Sequence, residues 1–287
     1  MACHVTPTPD ATLGATVTGV RLATLGPTDW PAIESAFHTH AVLIFPAQRL
    51  SAEAQVGFAR RFGEIEHIVP SVDTVPISNR KRDGSLYRDG EGPMQILRGN
   101  EGWHTDSSYM PLAAKASVLS AEVVPSRGGE TEWADMRAAY EALDPALRER
   151  IGRLSAFHSL RYSQARAGHS GRPAGFGYGF SVDQPPLRPL VKIHPVTGRP
   201  SLFVGRHAYG IPGLAPEESE RLLDSLVEDA CRPPRVLRHS WSPGDVVIWD
   251  NRCVLHRARP WDLAEARVMH HTRIAGDPRS EAAASFG

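Results

Sequence analysis

Three residues of this chain have the types and spacing of a metal site. His104 and Asp106 stand two apart in NEGWHTDSSY, and residues i and i+2 of an extended segment point to the same side. A second imidazole is needed to complete a facial triad. His256 is the best candidate for it, because it follows a buried-looking strand in GDVVIWDNRCVLH. Two His and one Asp leave three positions of an octahedral ion open, which suits Fe(II) oxygen chemistry.

The three residues alone leave the metal and the reaction open. The chain has 13 histidines, and a single histidine is more often a hydrogen-bonded polar residue than a ligand. A zinc hydrolase could use the same His-Asp-His set to activate water. Such a hydrolase would need neither O2 nor an anion-binding arginine, and a non-catalytic jelly-roll binding protein would not need an intact triad.

An arginine downstream favours a tethered cosubstrate. Arg267 begins RVMHHTRIAGD, where strand alternation places Arg267, Met269, His271 and Arg273 on one face. An arginine that faces the interior needs an anion to offset its buried charge. Its planar guanidinium can form two parallel hydrogen bonds with a carboxylate. A molecule that chelates iron at one end and carries a carboxylate at the other would supply that anion, with the Thr131 hydroxyl assisting. Pairing of Arg267 with a core Asp or Glu is the alternative.

Short extended runs dominate the chain and must position these residues. They are bounded by Pro, Gly or Asn, as strands often are, and cover 41–45, 115–124, 190–193, 201–204, 235–239, 245–249 and 267–275. Helical patterns are fewer, at 31–40, 52–63, 135–143 and 216–230. Helices do not alternate regularly with strands, so a β-sandwich or barrel with flanking helices is favoured over a doubly wound parallel sheet.

Composition excludes several classes of protein. Lys+Arg and Asp+Glu both number 32, so the basic excess of a nucleic-acid binder is missing. There is no signal-peptide pattern and no apolar run long enough to span a bilayer. Three cysteines without metal-like spacing argue against a disulfide scaffold and favour a reduced setting. We expect a cytoplasmic homo-oligomer that acts on a small molecule, without nucleic-acid or membrane partners.

One domain is predicted over 1–287, because no low-complexity linker divides the chain. Residues 281–287 are small and polar enough to form a flexible tail. Two further stretches are predicted to be mobile, the charged segment 81–92 and the Gly-rich segment 167–180, and the second is a candidate lid.

At this point the sequence resembles the TauD/TfdA family of Fe(II)/2-oxoglutarate dioxygenases over about 11–277. The resemblance rests on segments in the family's order, which are GATVTGVRL, LIFPAQRLS, FARRFG, GNEGWHTDSSYMP, VVPSRGGETEWADMRAAYEAL, HPVTGRPSLFV, GDVVIWDNRCVLHRA and RVMHHTRIAGD. It implies a double-stranded β-helix, or jelly roll. It also implies that His104, Asp106 and His256 bind Fe(II), and that Thr131 and Arg267 hold the distal carboxylate of 2-oxoglutarate.

Within the family, ATLGATVTGVRLATL, SAEVVP, GRHA and LRPLVKIHPVTGRPSL are most similar to the (S)-phenoxypropionate (dichlorprop) type of aryloxyalkanoate dioxygenase. The resemblance implies hydroxylation of a small carboxylate, with O2 consumed and 2-oxoglutarate converted to succinate and CO2. Hydroxylation beside an aryl ether oxygen would release a phenol and a 2-oxo acid. The same chemistry on a sulfonate or an acylated amino acid is the alternative.

One departure from the family bears on specificity. The taurine enzymes carry a sulfonate-binding Arg four residues after the 2-oxoglutarate Arg, where this chain has His271. Asp250 or Asn251 is expected to help orient the metal-binding histidines. The substrate-binding candidates are Asn100, Ile68, Arg206, His207, His271 and Arg273, and the sequence does not rank them.

Overall fold

The computed structural model describes residues 3–169 and 177–283. Within these ranges the strands are β1 His4–Pro7, β2 Ala15–Thr18, β3 Val42–Phe45, β4 Ile65–Glu66, β5 Val75–Ser78, β6 Ala114–Val123, β7 Thr131–Asp135, β8 Ser155–His158, β9 Leu187–Pro189, β10 Val191–Ile193, β11 Pro200–Leu202, β12 Ala208–Tyr209, β13 Val236–His239, β14 Val246–Asp250, β15 Val254–Ala258 and β16 Val268–Ala275. The helices are α1 Trp30–His40, α2 Ala52–Ala59, α3 Gly92–Gly99, α4 Met136–Ala142, α5 Pro145–Ile151, α6 Leu160–Arg166, α7 Pro216–Ala230 and α8 Pro278–Glu281.

The largest sheet has the order β1-β2-β3-β14-β6-β16-β4, and β5 also pairs with β16. Its pairs are antiparallel except for β2 with β3. At its centre, β14 lies between β3 and β6, and all five of its residues are buried. A strand covered on both faces needs apolar side chains on both, which explains the continuous run VVIW.

A smaller sheet, β13-β7-β15, faces the large one. One apolar cluster joins them, with Val247, Trp249 and Met269 from the large sheet and Trp133 and Val254 from the small one. Helices α1 and α2 cover the outer face of the large sheet, while α4 and α7 pack on the outer face of the small one. The result is a two-sheet β scaffold with helices outside, as the sequence predicted.

All seven predicted extended runs contain strands, and the four predicted helices are present. The structure adds the short strands β7 and β15, which carry Thr131 and His256. It also adds α3, α5, α6 and α8. None of the described helices is both long enough and apolar enough to cross a membrane.

The two segments predicted to be mobile contain local contacts where they are described. Lys81 accepts a backbone bond from Gly84 and donates one to Ser85, so the first segment contains a hydrogen-bonded turn. Residues 170–176 of the candidate lid lie outside the described residues. After them, Gly179 has a φ of +75°, and a Cβ there would stand 2.5 Å from the Tyr109 ring, so the close approach requires glycine.

The predicted tail starts too early. Glu281 ends α8 with only 1% of its surface exposed, and its backbone carbonyl accepts a bond from Arg188. Ala282 pairs with Leu112. The chain is therefore fixed to the body of the fold as far as 283, because buried backbone groups find partners there. The last four residues lie outside the described part.

Candidate functional site

The three predicted metal ligands meet at one place between the two sheets. His104 precedes β6 and pairs with His256 of β15 through two backbone hydrogen bonds. Asp106 follows two residues later, and its Oδ2 lies 3.8 Å from His256 Nε2. The three side chains are buried, and one potential ligand atom of each lies within 4.8 Å of the others.

The protonation states of His104 and His256 suit the binding of a cation. His104 Nδ1 lies 2.8 Å from the Gly102 carbonyl oxygen, which can only accept, so Nδ1 carries the proton and Nε2 has its lone pair free. Burial lowers the pKa of His104 to about 4, and burial together with His104 holds the pKa of His256 well below its ordinary value. Both imidazoles are therefore neutral, the form that binds metals.

Asp106 is held as a carboxylate with two different oxygens. Oδ1 accepts from Arg273 Nη2 at 2.8 Å, while Oδ2 accepts from Ser117 Oγ at 2.6 Å and faces the histidines. Burial alone would raise the pKa of Asp106, but Arg273 and His256 hold it well below its ordinary value. Two neutral imidazoles and one carboxylate form a donor set that fits a divalent ion of the first transition row.

Asn251 supports the carboxylate rather than the histidines. Its Oδ1 accepts from Trp249 Nε1 at 2.9 Å, and its Nδ2 donates to Ser117 Oγ at 2.9 Å. Ser117 in turn donates to Asp106. Asn251 or Asp250 was expected to orient the histidines, but the structure links Asn251 to Asp106 through Ser117.

A second group, His38, His194 and Asp250, also brings potential ligands together. His194 Nδ1 accepts two backbone N–H groups of the turn that follows it, so its proton is on Nε2 and is donated to Asp250 at 2.9 Å. Asp250 also accepts one bond from the Arg252 backbone N–H and two from its guanidinium. A ligating imidazole nitrogen must be unprotonated, so this group is a structural network and not a metal site.

Arg267 is buried without a matching negative charge. Its side chain is 3% exposed, its Nε donates to the Gly129 carbonyl at 3.1 Å, and its guanidinium lies 5.3 Å from the centre of the Trp261 ring. Among the described residues, no carboxylate lies within ion-pair distance of it. Burial lowers the pKa of Arg267 to about 10, which still leaves it charged at neutral pH. The alternative of a core Asp or Glu partner is therefore not found in the described part of the chain.

Thr131 lies close to the same turn. It follows Gly129 by two residues, is 3% exposed, and its Oγ1 accepts from Trp241 Nε1 at 2.9 Å. Because the hydroxyl accepts in this bond, its own proton remains available to a ligand.

A comparison with protein families decides the identity. The family described as taurine catabolism dioxygenase TauD, TfdA family, matches residues 4–274. The chain belongs to the TauD/TfdA dioxygenase family. It is thus an oxidoreductase, and the resemblance and fold predicted from the sequence are confirmed.

Individual relatives of this dioxygenase are similar over their whole length. An (S)-phenoxypropionate/alpha-ketoglutarate-dioxygenase of Sphingobium herbicidovorans is 55% identical over 279 residues, with 96% of each chain covered. A protein of the same name from Delftia acidovorans is 54% identical over 287 residues, with 98% of each covered. The crystal structure of AAD-2 in complex with Mn(II) and N-oxalylglycine matches 100% of both chains, with a TM-score of 0.89 and 35% identity.

Three of the dioxygenase's substrate-binding candidates lie on the His104 side. His207 is buried, with its ring centre 5.9 Å from that of His104, and its Nδ1 lies 2.8 Å from Ser163 Oγ. Arg206 has no acidic partner among the described residues and donates to the carbonyl oxygens of Gly99 and Ser163. Burial lowers the pKa of Arg206 to about 10. Asn100 ends α3, and its carbonyl accepts from Ala258 of β15.

The other three candidates have different surroundings. His271 Nε2 lies 3.6 Å from Asp106 Oδ2, and its ring stacks on Trp249 at 5.9 Å and 7°. Arg273 forms an ion pair with Asp106 and is not free to bind another anion. Ile68 is partly buried beside Val69, which is 46% exposed.

The sequence did not single out four side chains at this site, namely Glu66, Ser107, Ser117 and Tyr178. Two carried a weak signal. Glu66 lies two residues before the substrate-binding candidate Ile68, and Tyr178 lies in the Gly-rich segment. Of the other two, Ser107 directly follows Asp106 in the sequence, whereas Ser117 lies on β6 and reaches Asp106 Oδ2 only in the folded chain.

Proposed function

We propose that His104 Nε2, Asp106 Oδ2 and His256 Nε2 hold Fe(II), and that Arg267 with Thr131 binds the distal carboxylate of 2-oxoglutarate. The observation that carries this assignment is Arg267, a buried guanidinium without an acidic partner in the described chain. A buried charge without a partner carries a large desolvation cost, and an anionic ligand bound to Arg267 would offset that cost. N-oxalylglycine, bound by the structural neighbour AAD-2, has an α-dicarbonyl head and a distal carboxylate, as 2-oxoglutarate does.

Bound Fe(II) would supply O2 activation, coupled to oxidative decarboxylation of 2-oxoglutarate to succinate and CO2. The residues of this chain hold the ion, orient the cosubstrate and exclude water. The two imidazoles and one carboxylate leave open positions on one side of the ion, Arg267 sets the direction in which the cosubstrate lies, and burial of all these groups excludes water.

We infer that the substrate is an aryloxyalkanoate, in particular a 2-aryloxypropionate, as the names of the relatives indicate. One oxygen atom of O2 enters succinate and the other hydroxylates the carbon that bears the aryl ether. The resulting hemiketal breaks the bond between that carbon and the ether oxygen, and its hydroxyl proton passes to the leaving oxygen, which gives a phenol and a 2-oxo acid. Sulfonates and acylated amino acids are the alternative substrates.

Arg206 is the best candidate to bind the substrate carboxylate. Of the four cationic or imidazole candidates, Arg273 is already paired with Asp106, while His207 is kept neutral because burial holds its pKa well below the ordinary value. Arg206 retains a positive charge, lies near His104 and has no acidic partner in the described residues. His271 and Asn100 are proposed to line the pocket, with Ile68 at its outer edge.

The metal assignment is tested anaerobically. Fe(II) and then 2-oxoglutarate are added to the purified protein, and the visible metal-to-ligand charge-transfer band is recorded. We expect the band in the wild type, its loss in His256→Ala, and a much weaker 2-oxoglutarate affinity in Arg267→Ala. Arg166→Ala, at an exposed ion pair on α6, is the control and should behave as the wild type. Absence of the band, together with O2-independent hydrolysis in the presence of Zn, would instead support a zinc hydrolase.

The substrate class is tested by succinate release. Aryloxypropionates, aryloxyacetates, sulfonates and acylated amino acids are compared at equal concentration, with the phenol measured in parallel. The proposal expects the highest ratio of phenol to succinate for an aryloxypropionate. If no aryloxyalkanoate stimulates succinate release, the substrate assignment is wrong, although the cofactor assignment would stand.

We further propose that the enzyme is a cytoplasmic homo-oligomer. The support is the reduced state of Cys3, Cys231 and Cys253 and the neutral balance of charge. Light scattering of the full chain at several concentrations gives its mass, and a monomer throughout would contradict the oligomeric part.

A further inference from the structure

A chain of polar contacts extends outward from Asp106. Arg273 donates through Nη2 to Asp106 Oδ1 at 2.8 Å and through Nη1 to Ser107 Oγ at 3.0 Å. Ser107 donates to Glu66 Oε2 at 2.7 Å, and the Tyr178 hydroxyl donates to Glu66 Oε1. Arg273 Nε lies 3.9 Å from Glu66, and its guanidinium lies 5.8 Å from the centre of the Tyr178 ring. The contacts join four separate segments of the chain at one guanidinium.

The donor and the acceptor of each hydrogen bond in this network can be assigned. Burial raises the pKa of Tyr178, so the phenol keeps its proton and donates it. The single Ser107 proton goes to Glu66, which leaves the Ser107 oxygen to accept from Arg273. Glu66 is thus an acceptor for two hydroxyls, and Arg273 is the donor to Asp106. Arg273 donates to Asp106 and to Ser107, and Ser107 and Tyr178 donate to Glu66, so the network fixes the position of Arg273.

We propose that Arg273, held by Glu66, Ser107 and Tyr178, is a positioning residue that keeps Asp106 bound to the metal through a single oxygen. This inference rests on the proposed Fe(II) site and deepens it. Arg273 occupies Oδ1, whereas Oδ2 faces His256 at 3.8 Å and His271 at 3.6 Å. Only Oδ2 is directed at the histidines, so only Oδ2 can ligate while the pair with Arg273 persists.

Binding through a single Asp106 oxygen matters because it sets how many coordination positions of the metal ion stay open. A carboxylate released from Arg273 can turn and bind a metal with both oxygens. Two imidazoles, a chelating carboxylate and the two head oxygens of 2-oxoglutarate would then fill all six positions of an octahedral ion. O2 would have no position left. Arg273 therefore protects O2 access, while 2-oxoglutarate binding depends on Arg267 instead.

The backbone supports the same interpretation. Ser107 has a φ of +55°, a region that side chains other than glycine rarely adopt. This conformation turns the Ser107 hydroxyl toward Glu66 and Arg273 immediately after the Asp106 ligand. Strained residues of this kind persist where surrounding contacts hold them, and here the contacts are those of the network.

The test uses nitric oxide, which binds Fe(II) at the position that O2 takes. Wild type, Arg273→Gln and Arg273→Lys are loaded anaerobically with Fe(II) and 2-oxoglutarate, and nitric oxide affinity is measured by electron paramagnetic resonance. For Arg273→Gln we expect a retained charge-transfer band and an affinity for nitric oxide reduced about tenfold or more. Arg273→Lys should recover part of the affinity, because an ammonium can still donate to Oδ1. In turnover, kcat should fall while the KM for 2-oxoglutarate stays unchanged.

A matched control separates positioning from general destabilisation. Arg137→Gln breaks another buried pair of this kind, Arg137 with Asp135 at 2.9 Å, away from the metal ligands. It should lower Tm without changing nitric oxide affinity. Should Arg273→Gln fail to bind Fe(II), the outcome is decided by Glu66→Gln and Tyr178→Phe, which keep the pair with Asp106 but loosen it. Both are expected to weaken nitric oxide binding by a smaller factor.

Two results must be distinguished. If the wild type gives no charge-transfer band, the proposed Fe(II) site itself is wrong. If the wild type gives the band but Arg273→Gln has the same nitric oxide affinity as the wild type, the positioning role is overturned and the Fe(II) site stands. Where Arg273→Gln binds no Fe(II), wild-type nitric oxide affinity in both Glu66→Gln and Tyr178→Phe has the same meaning.

Discussion

His104 and His256 are directly opposite each other across two backbone hydrogen bonds, from His104 N to His256 O at 3.0 Å and from His256 N to His104 O at 2.7 Å. Opposite residues of an antiparallel pair project to the same face. Two imidazoles far apart in the chain are therefore brought side by side, with ring centres 4.1 Å apart. The position of both histidines is set by main-chain pairing, so it does not depend on side-chain packing alone.

The turn before Thr131 should control 2-oxoglutarate binding. Gly129 has a φ of +69°, and a Cβ there would lie 3.1 Å from Arg267 Cδ and Nε. Gly129→Ala should displace Arg267 and raise the KM for 2-oxoglutarate about tenfold, equivalent to about 1.4 kcal/mol, with Fe(II) affinity unchanged. Gly198→Ala is the control, since its φ is +68° and nothing lies within 4 Å of the added Cβ. Equal KM values in the two variants would contradict the prediction.

Arg206 should recognise the charge of the substrate. Arg206→Gln is expected to raise the substrate KM by about tenfold or more, because a hydrogen bond to a charged group contributes about 1.5–3 kcal/mol. The sharper measurement compares an aryloxypropionate with its neutral amide. The wild type should prefer the acid strongly, Arg206→Lys should retain much of that preference, and Arg206→Gln should lose it. An unchanged preference in Arg206→Gln would assign the carboxylate to another residue.

Asn251 should affect both stability and metal binding. Asn251→Ala leaves Trp249 Nε1 without its acceptor and Ser117 without its donor, and each unsatisfied buried group costs about 1–3 kcal/mol. The denaturation midpoint and the Fe(II) affinity should both fall. Gln55→Ala removes a comparable buried amide that contacts Ser120 and Thr272, and should lower stability alone. A loss of Fe(II) affinity in both variants would show that the effect is not specific.

Lys192 should make stability depend on alkaline pH. Burial lowers the pKa of Lys192 to about 8, and its Nζ has no hydrogen-bond partner in the described chain but lies 4.7 Å from the centre of the Phe203 ring. An unfolded lysine titrates near about 10.4. Below pH 8 the folded chain carries the full cost of the buried charge, and stability rises with pH between these two values because only the unfolded state binds the proton.

Lys192→Met should therefore stabilise the protein by about 2–3 kcal/mol at pH 7, and this gain should shrink as the pH approaches 10. Chemical denaturation at pH 7, 8.5 and 10 measures it. Lys81→Met, at a partly exposed pair with Glu91, is the comparison and should show a much smaller effect of pH. A gain independent of pH would point to packing and not to charge.

The sequence by itself determined the family, the candidate ligands and seven of the sixteen described strands. These rest on local patterns, such as the alternation in His104 and Asp106 or the apolar run of β14, and on motif order. The strands that hold Thr131 and His256 were not predicted, because strand pairing and not intrinsic propensity defines them.

Only the tertiary structure decided the surroundings of the metal ligands. Arg273 and Asp106 are far apart in the chain, yet the pairing of β6 with β16 brings them together. Asn251 reaches the carboxylate through Ser117 on another strand, and Arg267 remains without an acidic partner in the described chain. Such contacts join residues far apart in sequence, and they depend on strand register, which a linear pattern does not specify.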